Sequence, residues 1–74
     1  MSEIVWKAEL DNGQYKCEVK RLSSNKGQLT VEDTTNNELV LNKEVGLSYG
    51  AQFGPDVSDV AYWQEMIIEA VDNP

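Results

Sequence analysis

With 74 residues the chain has room for one compact core, and folding it must offset about 1.5 kcal/mol of conformational entropy per ordered residue. The absence of histidine and the single Cys17 exclude an internal disulfide, a zinc site of the usual ligand types and the commonest proton shuttle of enzymes. A formal net charge of −7 disfavours nucleic acid and anionic membranes as direct partners and favours basic protein surfaces.

Ile4, Trp6, Ala8 and Leu10 alternate with Val5, Lys7 and Glu9, the period of two that marks a strand with one buried face. Glu3, Lys7 and Glu9 interrupt this start, so it lacks the apolar run of a signal peptide, and no later run approaches a membrane span. Together with the lone cysteine this points to a reducing, cytoplasmic compartment. Asp11, Asn12 and Gly13 break the alternation. A two-residue primed turn at Asn12-Gly13 would set Glu9 opposite Lys16, Lys7 opposite Glu18 and Leu10 opposite Tyr15. A slip of one residue would send Tyr15, Cys17 and Val19 to the wrong face, so charge and apolar pairing select the same register.

Turn-forming residues at Ser23 to Gly27 and at Thr34 to Asn37 bracket a third strand carrying Leu29 and Val31. Leu39, Leu41, Val45, Leu47 and Tyr49 keep to odd positions, so residues 38–49 form either one strand bent near Asn42 or two strands. Two glycines and Pro55 between Gly50 and Pro55 end the sheet in a loop. The period then changes. Asp56 is placed as an N-cap with Asp59 three residues on, and a helix is expected over about residues 56–72. On a helical wheel Val57, Val60, Ala61, Trp63, Ile67, Ile68, Ala70 and Val71 cover one half, while Ser58, Tyr62, Glu65, Glu69 and Asp72 form the opposite stripe. The expected fold is α+β: an antiparallel meander of three to five strands over about residues 3–49, a loop at 50–55 and one C-terminal helix packed on the sheet, in a single domain spanning 1–74. Trp6 and Trp63 should meet across the interface between sheet and helix.

A search for chemistry returns little. Cys17 falls on the inward face of the second strand, where a thiol behaves as a small apolar group. Gly46, Gly50 and Gly54 recur every four residues, but Pro55 and Asp56 follow where a phosphate loop needs Lys and Ser or Thr. Asp11 and Asn12 belong to too short a turn to supply the six or more oxygens of a calcium site. Asp56 and Asp59 are accounted for by capping and the helix dipole without a metal. No catalytic residue, metal or cofactor is therefore assigned, and the chain is read as a non-enzymatic binder.

Charge distribution suggests where binding happens. Residues 1–43 hold 7 acidic and 6 basic side chains, whereas residues 44–74 hold 6 acidic and none basic. Glu65 and Glu69 are like charges one turn apart, and Glu69 and Asp72 sit near the helix's negative end, where Lys or Arg would stabilise it. The partner-binding candidates are Tyr62, Glu65, Glu69 and Asp72 on the polar stripe, with Phe53 in the preceding loop either plugging the core or standing out as an anchor.

The stretch Val45-Gly46-Leu47-Ser48-Tyr49-Gly50-Ala51-Gln52-Phe53-Gly54-Pro55-Asp56-Val57-Ser58-Asp59-Val60, followed by Trp63-Gln64, resembles small uncharacterised proteins encoded by bacteriophages. It covers about a third of the chain and carries no activity or functional residue with it. What the resemblance implies is an accessory or inhibitor that occupies a site on a host protein, in the bacterial cytoplasm. The expected function is thus a small acidic protein-binding module that docks its helix on a basic site of a host protein, such as one that binds nucleic acid. The alternative is a structural or assembly subunit that self-associates through a sheet edge or an apolar patch, and the expected state is monomer or homodimer.

Overall fold

In a computed structural model that describes residues 3–47 and 57–72, the alternating segments become β1 (Ile4–Leu10), β2 (Tyr15–Ser23), β3 (Lys26–Asp33) and β4 (Glu38–Gly46), and the last segment becomes α1 (Val57–Asp72). The four strands pair antiparallel in chain order, β1-β2-β3-β4, so the fold is the α+β meander with a C-terminal helix that the periodicities predict.

The first hairpin has the expected register, with Lys7 facing Glu18, Glu9 facing Lys16 and Leu10 facing Tyr15. Gln14 N–H donates to the Asp11 carbonyl at 3.2 Å across Asn12 and Gly13, whose φ values of 59° and 91° are those a primed turn needs. Asp11 is also left-handed, at φ 52°, a conformation that Asp and Asn tolerate better than other side chains do. The second turn falls inside the Ser23 to Gly27 stretch, where a register shift between Arg21 and Ser23 leaves Leu22 as an extra, exposed residue. The third is held by Asp33, whose carboxylate accepts from Thr35 N–H at 3.0 Å and from the Asn36 side-chain amide at 3.0 Å. Thr34 N–H donates to the Gln14 carbonyl at 2.8 Å and its hydroxyl to the same oxygen at 2.9 Å, tying the third turn to the first.

Over its described residues β4 is one strand, and its irregularity lies at Val40, not near Asn42; Ser48 and Tyr49, the end of the expected 38–49 segment, and the expected loop at 50–55 lie outside the described residues. Pairing shifts between Val31 facing Leu41 and Glu32 facing Leu39, which leaves Val40 unpaired. That extra residue inverts the phase. Leu39 is thrown out opposite Glu32 and is 55% exposed, correcting the expectation that it shares the inward face with Leu41.

One face of the sheet carries the core of Cys17, Val19, Leu29, Val31, Val45 and Leu47, closed over by Trp63 and Ile67 of α1. The other face alternates Lys7, Glu9, Lys16, Glu18 and Glu32 in opposed pairs. Trp6 and Trp63 meet as predicted, with ring centroids 5.6 Å apart and planes tilted by 52°. The helix, however, is rolled relative to the wheel reading. Met66 is partly buried, whereas Val57, Ala61 and Ile68, assigned to the buried half, are exposed. A sheet of four strands meets a helix along a stripe narrower than half its circumference, and the part holding the bulky Trp63 takes that contact.

Candidate functional site

The helix roll decides what surface the protein shows. Tyr62, Glu65, Glu69 and Asp72 all face solvent, as their stripe predicts, and so does Ser58. Beside them stands Ile68, so two large side chains, Tyr62 at 58% and Ile68 at 55% exposure, lie among three carboxylates. The last turn of α1 has no basic residue. No lysine or arginine nitrogen comes within 4.0 Å of these three carboxylates among the described residues, whereas Arg21 pairs with Glu3 at 3.5 Å and Lys26 with Glu44 at 3.4 Å. Lys43 shares a shallow hollow with Leu41, Met66 and Glu69 on the β4 side of the helix.

On the β1 side an apolar groove of about 310 Å³ runs between strand and helix, lined by Trp6, Ala8, Leu10, Ile67 and Ile68 with Gln64 and Cys17. α1 lies closest to β4 and reaches β1 through the Trp6 and Trp63 rings, and the groove is the gap left between the helix and the rest of the β1 margin. Sequence patterning missed this groove. The available signal was the excess width of the apolar half of the helix, which no neighbouring element covers among the described residues. A second hollow, of about 390 Å³, opens along β1 and β2 and is lined by Lys7, Glu9, Lys16 and Glu18, whose opposed charges cancel locally.

Cys17 is a core group. It is 1% exposed, and burial pushes its thiol above the ordinary value of 9.0, away from the thiolate form that nucleophilic chemistry requires. Among the described residues no three of the Cys, Asp and Glu side chains converge as a metal ligand set would, and no helix is long and apolar enough to cross a membrane. Phe53 and Asp56 lie outside the described residues, so the loop anchor and the helix cap are not placed. What the visible surface offers is apolar contact bordered by negative charge. Family models, curated proteins and solved structures return no match to the chain.

Proposed function

We propose that the protein is a non-enzymatic binding module that docks the outward side of α1 on a basic surface of a partner protein. The observation behind this reading is the setting of Tyr62 and Ile68, exposed among Glu65, Glu69 and Asp72, which make no ion pair to a lysine or arginine among the described residues. Exposed aromatic and aliphatic groups supply the contact area of a binding centre, and the surrounding carboxylates supply its steering. A helix tuned for stability alone would place cations, not Glu69 and Asp72, at its C-terminal end. The partner's complementary surface is cationic with a small apolar recess. If that surface serves nucleic acid, the protein competes for it, in the manner of a phage-encoded inhibitor of a host protein.

The test is comparative capture from a cell lysate by wild type, the double variant Glu65→Lys/Glu69→Lys and Tyr62→Ala, at low salt and at about 0.5 M salt, where the Debye length falls to a few ångströms. Wild type should retain proteins at low salt that both variants lose and that high salt releases. All three should share one far-ultraviolet circular dichroism spectrum, because the altered side chains are exposed. An identical captured set for wild type and both variants would remove the proposal.

A further inference from the structure

We propose that two copies of this chain pair through β1, antiparallel about a twofold axis at Ala8, joining their sheets into one. Among the described residues β1 is hydrogen-bonded to β2 alone, so its other edge is open. The register irregularity of β1 is confined to its start, between Ile4 and Trp6, which leaves Trp6 to Leu10 as a regular edge. That segment, Trp6-Lys7-Ala8-Glu9-Leu10, is complementary to itself in one antiparallel register. Centred on Ala8, Lys7 faces Glu9 of the second copy, Glu9 faces Lys7, and Trp6 faces Leu10. Centring on Lys7 or Glu9 instead sets like charges against each other, as does parallel in-register pairing.

The opposite edge lacks these properties. β4 is bulged at Val40, and its Lys43 faces Leu29 on the core side of the sheet, so a charge guards the apolar face at that margin. Bulges and inward-pointing charges are the usual means by which an edge is kept from pairing. β1 presents Trp6, Ala8 and Leu10 on the same face with no charge among them.

A twofold axis perpendicular to the sheet puts both helices on one side of the joined layer. The groove lined by Trp6, Ala8, Leu10 and Ile68 then gains, on its open flank, the same groove of the second copy. This accounts for the uncovered apolar strip of α1 and supplies burial that a 74-residue monomer lacks. The two surfaces share Ile68, but Lys7, Ala8 and Glu9, which decide the pairing, lie on β1 away from Tyr62, Glu65 and Glu69, so variants on one surface test it without altering the charges of the other.

Sedimentation equilibrium over roughly 1 to 200 µM tests the pairing, since a dimer of this kind is concentration-dependent. Wild type should dimerise within that range. Lys7→Glu alone and Glu9→Lys alone each turn two attractive pairs into two repulsive ones, and each should weaken dimerisation about tenfold. An equimolar mixture should associate again. In the mixed pair a chain with two carboxylates at these positions meets one with two ammonium groups. Misfolding cannot mimic that recovery, and Ala8→Lys, which sets two cations face to face on the axis, should be monomeric as well. A wild type that stays monomeric throughout, or a mixture no tighter than the single variants, overturns the inference.

Discussion

Gly27 offers a severe test of how tightly β2, β3 and the segment after β4 are packed. It is buried in β3 opposite Arg21 of β2 and Val45 of β4. A methyl group added there would stand 2.8 Å from Val19 Cγ1, 3.1 Å from the Lys20 carbonyl oxygen and 3.3 Å from Leu47 Cδ2. Carbon atoms rest at about 3.5–4.0 Å, so the methyl intrudes on Val19 by at least about 0.7 Å. Val19 is β-branched and fully buried, and the Lys20 carbonyl belongs to the paired backbone, so neither swings aside cheaply. Overpacking of this kind costs about 1–3 kcal/mol, and the reduced freedom of alanine in the unfolded chain returns about 0.4–1 kcal/mol. Gly27→Ala should therefore destabilise the fold by about 1–2 kcal/mol and lower Tm by about 5–15 °C. Urea and thermal unfolding followed by tryptophan fluorescence would measure it. Gly46→Ala is the matched control, because a Cβ there meets nothing within 4 Å; it should be neutral or slightly stabilising. In a Val19→Ala background the Gly27→Ala penalty should shrink by about 0.5–1 kcal/mol, the coupling expected of neighbours. A Gly27→Ala protein as stable as wild type, or one whose penalty ignores residue 19, would refute the close packing on which the reasoning rests.

The helix orientation is checked by a neighbouring pair: Ile67→Ala should cost about 2–5 kcal/mol as a buried truncation, whereas Ile68→Ala should stay within about 0.5 kcal/mol. Equal costs, or a larger cost at Ile68, would contradict this orientation of α1. Cys17 should react with a thiol reagent only as denaturant opens the fold. Since burial raises its pKa, the unfolded chain ionises first as pH rises past 9.0, so the stability tied to this proton is complete below that pH and is lost through the folded pKa. Urea midpoints at about pH 8 and about pH 10 should therefore fall further for wild type than for Cys17→Ala, and parallel slopes would contradict the burial of the thiol.

The first hairpin was legible because everything that sets it is local: a turn sequence and two charge pairs within a dozen residues agree on one register. The bulge at Val40 was not, since Leu39 and Leu41 continue the odd-numbered alternation straight through it, and a slip in pairing depends on the neighbouring strand. The two tryptophans illustrate the same division. Their burial could be read from period alone, and their contact followed once sheet and helix had a single apolar face each. The roll of α1 could not, because the wheel shows how wide the apolar half is but not which part of it the sheet covers. Exposure of Tyr62, Glu65, Glu69 and Asp72 was readable from the stripe, whereas the groove beside Ile68 arises from two elements about sixty residues apart and has no signature in either.

Chain-order pairing of the strands has a consequence for how the molecule assembles. Each strand finds its neighbour across a short turn, so the closure entropy is small and hairpins of this kind form within about 1–10 µs. Trp63 and Ile67 arrive only when α1 docks, and until then the layer exposes Cys17, Val19, Leu29 and Val31 to any molecule that collides with it. Mutual repulsion between chains of charge −7 lengthens the time before such a collision, so the acidic excess also serves as a colloidal safeguard during refolding.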